Sequence, residues 1–127
     1  MIKYDDLLTA HYAPHGRGPD EFNCWGMVLE CIRRDGKKIS DPFKNIERLP
    51  AGAEIPYIND FNNIREISRP KAGAIAECLT GPNLHVAYML TSSLAIHITQ
   101  SGPHVTHIKA LHPLRFYEVL DNESKHN

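Results

Sequence analysis

The apolar positions Cys24, Met27, Val28, Cys31 and Ile32 recur at i, i+3, i+4, i+7 and i+8, the spacing of one buried stripe on an α-helix. The preceding run, Ala13-Pro14-His15-Gly16-Arg17-Gly18-Pro19, cannot hold a regular helix. The helix therefore starts near Cys24. Its end is marked by Arg33-Arg34-Asp35-Gly36, with cations for the last turn and a glycine suited to the left-handed cap. Tyr4 to Tyr12 reads as a short helix with Asp5 and Asp6 near its positive end. Lys37 to Pro56 is interrupted by Pro42, Pro50 and Pro56 and reads as connector, with a turn of helix around Phe43 to Arg48. A weaker helix is expected from Ile58 to about Ile67, closed off by Pro70 and Gly73.

Beyond Gly73 the residues become apolar and β-branched in short runs. Strands are expected at Gly73 to Leu79, Leu84 to Thr91, Leu94 to Gln100, His104 to Lys109 and Leu114 to Leu120. The polar tail Asp121 to Asn127 is expected to fray. Helices followed by an antiparallel meander of four to five strands make an α+β layout, one domain spanning residues 1–127 without an internal repeat.

Thr91-Ser92-Ser93 reads as a hairpin loop, and its length has a chemical consequence. A loop of three residues sets Leu90 opposite Leu94, Ala87 opposite His97 and His85 opposite Thr99. His85 and His97 are then diagonal neighbours on one face, ~7 to 8 Å apart at the backbone and within hydrogen-bonding reach at the rings. A two-residue loop puts them on opposite faces. At the other end of the chain, Cys24 sits in or near the first turn of its helix. Unpaired N–H groups and the positive end of the macrodipole there favour a thiolate, lowering a thiol pKa from about 8.5 to roughly 3.5 to 7.5. Cys24 is the candidate nucleophile, and His85 and His97 are the two candidates for the base it needs.

Composition narrows the classes. With 14 basic and 15 acidic residues the net charge is -1, so no general attraction to nucleic acid or to an anionic membrane is expected. No transmembrane run is present, and Met1 leads directly into the charged segment Lys3 to Ala10, so no secretory signal is expected and synthesis in the bacterial cytoplasm is. Cys24 and Cys31 are about two helical turns apart, ~10 Å along the axis, too far for a disulfide. Cys31 and Cys78 read as small buried apolar residues. His11, His15, His104, His107, His112 and His126 bring the histidines to eight, but there is no His-Glu-x-x-His and no CxxC pair, so no metal and no cofactor is expected.

The residues Tyr12, Asn23-Cys24-Trp25-Gly26-Met27-Val28, Pro70-Lys71-Ala72-Gly73-Ala74, His85-Val86-Ala87 and His97 resemble, in order and spacing, the NlpC-type cell-wall cysteine peptidases. Those proteins carry a tyrosine about twelve residues before the cysteine, a helix opening on Asp-Cys-x-Gly-(Leu/Met)-Val, a Pro-x-x-Gly-Asp entry to the first strand, a His-Val-Gly strand and a second polar residue about a dozen further on. Arg17-Gly18-Pro19-Asp20-Glu21-Phe22 and Trp25 are similar to the short phage-tail branch in particular. Three positions depart: Asn23 stands for Asp, Ala74 for the Asp of Gly-Asp, and Ala87 for Gly.

The resemblance implies a papain-like core in which the cysteine helix packs on the sheet and presents its N-terminus to the histidine strand. It also implies a cysteine endopeptidase that cuts the peptidoglycan stem peptide between D-glutamate and a diamino acid, with His85 holding the Cys24 thiolate as an ion pair. Tyr12 and Trp25 are the implied oxyanion or substrate residues. Other phage tail proteins would be partners, and a tail particle would deliver the chain to the wall. The alternatives are a non-catalytic tail-assembly module of the same fold, or a related cysteine amidase or acyltransferase.

Overall fold

A computed structural model describes residues 1–41, 49–50, 63–80 and 83–120. The expected helical turn at Phe43 to Arg48 and the tail from Asp121 fall outside these residues, as does the first half of the segment Ile58 to Ile67.

The cysteine helix, α1 (Cys24–Arg34), forms where the apolar stripe places it. Trp25, Met27, Val28, Cys31 and Ile32 are buried, Arg33 and Arg34 occupy the last turn, and Gly36 follows with φ +79°. Only a residue without a β-carbon adopts that left-handed geometry at little cost. The first segment differs from expectation. Asp5–Thr9 is a 3₁₀ helix, and His11–Tyr12 is a short strand, β1, pairing in parallel with β2 (Glu21–Phe22). Pairing with a strand that immediately precedes Cys24 competes with continuing the helix, and His11 N–H donates to Asp20 O across that pair at 2.9 Å. Arg34 fastens the 3₁₀ helix to α1 through the Asp6 carboxylate at 2.7 Å and the Lys3 carbonyl at 2.9 Å.

The remaining strands are β3 (Leu49–Pro50), β4 (Ile64–Ile67), β5 (Ile75–Thr80), β6 (Asn83–Met89), β7 (Leu94–Thr99), β8 (Gly102–His107) and β9 (Pro113–Val119). Ile64–Ile67 is thus a strand and not the end of a helix. It pairs along its whole length with β9, Ile64 opposite Val119 and Ile67 opposite Phe116. The sheet runs in the order β4-β9-β5-β6-β7-β8, all antiparallel, with β3 paired to β6. Only β5 to β8 form a meander. The last strand does not extend it beyond β8, because after a 3₁₀ helix at Ile108–Leu111 the chain returns to the far edge of β5. Glu77 on β5 shows what favours this return. It is fully buried, and β9 supplies Arg115 at 2.8 Å and the Tyr117 hydroxyl at 3.1 Å. A buried carboxylate requires such partners.

One face of the sheet, with Ile75, Leu84, Val86, Tyr88, Ile96 and Ile98, packs with α1 into the main core. The other face is lined with small residues, Ala74, Ala76, Cys78, Ala87 and Ala95, together with Met89 and covered by Ile108 and Leu111. Ala74 and Ala87, two of the three departures from the family pattern, are completely buried here.

Candidate active site

The β6 edge is divided. β5 runs along one side of β6 from Asn83 to Tyr88, so β3 and β7 must share the other. β3 pairs at Leu84 and Asn83, and β7 pairs at Tyr88↔Ile96 and Met89↔Ala95. His85 to Ala87 lie in the break between them. The β7 register is the one a three-residue loop imposes, with Leu90 N–H donating to Leu94 O at 2.8 Å.

Two side chains cross the break. The Nε2 of His85 lies 2.9 Å from the Nδ1 of His97, with the rings nearly perpendicular and 5.1 Å apart. The two residues are 7% and 5% exposed. The Nε2 of His97 is in turn 3.0 Å from the Thr106 hydroxyl on β8. His104, the direct cross-strand partner of His97, lies ring to ring with it at 5.6 Å and is held by Ser101 at 3.0 Å.

The start of α1 reaches the same break. The backbone N–H groups of Val86, the residue after His85, of Trp25 and of Cys24 itself lie near enough to the Cys24 sulfur to favour its charged form. These amides and the Arg17 charge favour a thiolate, as the helix-start argument anticipates. They are outweighed. Cys24 keeps some exposed surface but is densely surrounded, and burial pushes its thiol pKa up. Burial likewise lowers His85 to about 4, assisted by the neighbouring His97, and lowers His97 to about 4, assisted by His104. Both shifts run against the thiolate–imidazolium pair expected from the helix start, because burial disfavours each charge.

The direction has a measurable sign. With the Cys24 pKa raised, alkylation by iodoacetamide is expected to climb about tenfold per pH unit between 7 and 9, since only the thiolate reacts. An ion pair would give a rate that is already flat from pH 5 to 8. Mass mapping of alkylated peptides against pH distinguishes the two. Cys31, buried and pushed up to about 12, should label more slowly throughout.

Local sequence explains how α1 is aimed. The side-chain oxygen of Asn23 accepts the Gly26 N–H at 2.8 Å and Arg17 at 2.8 Å, while its amide nitrogen donates to Pro14 O at 2.8 Å. A carboxylate at this position could not make the last of these bonds. The Asn in place of the family's Asp is thus a helix cap that also ties down the preceding loop. Arg17 grips Asp41 through Nε at 2.7 Å, and Asp41 accepts the Trp25 indole N–H at 3.0 Å.

Trp25 is 2% exposed, so what it presents to the sulfur is its backbone amide while its ring belongs to the core. Tyr12 is paired with Phe22, two residues ahead of Cys24, and packs against the main core. Arg17, Asp41 and Thr106 were assigned no role from sequence. Asp41 is 24 residues from Arg17 with no periodic relation to it, and Thr106 meets His97 only once the β7–β8 register is known. Among the described residues, no group of three or more His, Cys, Asp or Glu is arranged to hold a metal ion, and no helix is long and apolar enough to cross a membrane.

No family model matches this chain, and no curated protein matches it. Among solved structures it is similar to the NlpC/p60 domain of the peptidoglycan hydrolase SagA, with 21% identity, 92% of each chain covered and a TM-score of 0.57. The fold is that of an NlpC/p60 domain. At this identity the likeness concerns the fold, and within that NlpC/p60 fold the residues discussed above are this chain's own.

Proposed function

We propose that the protein is a cysteine peptidase that hydrolyses an amide bond in the peptide stem of peptidoglycan. The observation that carries this reading is the break in the β6 edge, where a helix-start cysteine meets the backbone beside a buried histidine whose far nitrogen is held by a second one. The NlpC/p60 fold of a peptidoglycan hydrolase supports the substrate class.

With Nε2 of His85 engaged by His97, the Nδ1 is the nitrogen left to exchange a proton with Cys24. The sulfur attacks the carbonyl carbon as its proton passes to His85 Nδ1, and an S–C bond forms. The imidazolium then donates that proton to the leaving amine as the C–N bond breaks. Water attacks the thioester, gives a proton to His85, and the thiol is regenerated with release of the acid. With both charges disfavoured by burial, His85 acts as a general base in the first step. The oxyanion is met by the backbone N–H of Cys24 and the Tyr12 hydroxyl. The bond cut is the D-glutamyl–diamino acid link, and a phage tail carries the chain to the wall.

Incubation with purified peptidoglycan followed by mass analysis of soluble fragments tests this. A cut within the stem is expected, absent from Cys24→Ala. Release of the whole stem from the sugar would make the protein an amidase. No product from the parent chain would leave the fold with an assembly role.

A further inference from the structure

The outermost member of the hydrogen-bonded row is a threonine, and its place follows from how protons must be distributed. This inference rests on the reading that His85 takes the Cys24 proton. Once it has done so, both His85 nitrogens carry hydrogen, and Nε2–H must donate to His97 Nδ1, 2.9 Å away. The proton of neutral His97 is then confined to Nε2. His97 is 5% exposed, and the group beside that nitrogen is the Thr106 hydroxyl at 3.0 Å. Without an acceptor there, the His97 N–H would be buried unpaired when His85 is charged, or the ring would turn about Cβ–Cγ and withdraw Nδ1 from His85.

We propose that Thr106 is a positioning residue, whose hydroxyl accepts from His97 Nε2 and thereby keeps His97 Nδ1 as the acceptor that supports protonated His85. Thr106 touches neither substrate nor sulfur in this role. The three groups come from three consecutive strands, β6, β7 and β8, so the row is held by the meander itself. Thr106 is half-buried opposite Ala95, where valine replaces it with nearly the same shape and without the hydroxyl.

The test uses the full chain with Thr106→Val and Thr106→Ser, read in two ways. Long-range ¹⁵N–¹H spectra of the free protein report the histidine tautomers. The parent and Thr106→Ser should show hydrogen on Nε2 of both His85 and His97, and Thr106→Val should show a mixed state at His97. On peptidoglycan fragments, kcat of Thr106→Val should fall about 10- to 100-fold with KM nearly unchanged, while Thr106→Ser stays near the parent. A His97 tautomer identical in parent and Thr106→Val, hydrogen on Nδ1 of His97 in the parent, or equal losses in Val and Ser would each overturn the proposal. If the parent releases no fragments, the peptidase reading fails, and the spectra alone still decide whether Thr106 sets the His97 tautomer.

Discussion

His85→Ala should lower turnover on peptidoglycan fragments by on the order of 10³ to 10⁴, the scale of removing a proton-transferring partner from an acyl-transfer site. The raised thiol pKa makes the dependence steep. Were Cys24 already a thiolate, a nucleophile would survive without the imidazole. Burial instead pushes its pKa up, so attack without a base must first ionise a disfavoured sulfur. His97→Ala should be milder, because the base is still present though free to rotate, and His97→Asn should retain more activity than Ala by restoring an acceptor for Nε2. Circular dichroism and melting temperature on the same samples separate chemistry from folding. Residual activity of a tenth or more in well-folded His85→Ala would show that His85 is not the base.

The second large effect is on stability. A β-carbon on Gly26 would lie 2.1 Å from the carbonyl oxygen of Gly16. That oxygen cannot retreat easily, since it accepts the Asn23 N–H at 3.2 Å and Arg17 at 3.0 Å. Gly16 is itself trapped, because its own β-carbon would stand 2.5 Å from the Phe22 backbone. Alanine is about 1 kcal/mol better than glycine within a helix, but this overlap is with anchored backbone. Gly26→Ala is therefore expected to cost about 3 kcal/mol and to lower Tm by on the order of 10 °C. It should also accelerate labelling of Cys24 as the helix start is levered away from Val86. Gly36→Ala is the reference: it has open space around it and strain only from its positive φ, so it should cost about 1 kcal/mol. Denaturant melts of both variants decide the matter, and a Gly26→Ala protein as stable as Gly36→Ala would refute the close-approach argument.

What the chain disclosed before its structure was known is what depends on neighbours in sequence. The stripe from Cys24 to Ile32 and the cap at Gly36 are periodic and local, and α1 lies where they put it. The hairpin register came from counting the residues between Leu90 and Leu94, and that count brought the two imidazoles together. Features set by distant partners were not legible. Ile64–Ile67 has the composition of a helix end but is claimed by β9, whose paired residues lie 49 to 55 positions later, and β9 itself lies beside β5, where Arg115 and Tyr117 meet Glu77. The direction of the Cys24 shift is hidden from the sequence for a related reason. The helix-start contribution is visible in the sequence, whereas the larger burial contribution depends on how densely the sheet closes around the sulfur.

Inserting the start of α1 into the β6 edge also ties chemistry to cooperativity. In an uninterrupted sheet, a strand neighbour would face the Val86 N–H, near which the Cys24 sulfur stands here. The proposed nucleophile therefore stands where a ladder partner would, and moving it away uncovers this stretch of the β6 edge. Fluctuations that loosen the strands and fluctuations that release the nucleophile become one opening event. Amide exchange at Val86 should accordingly report the working order of the site, even when no substrate is near.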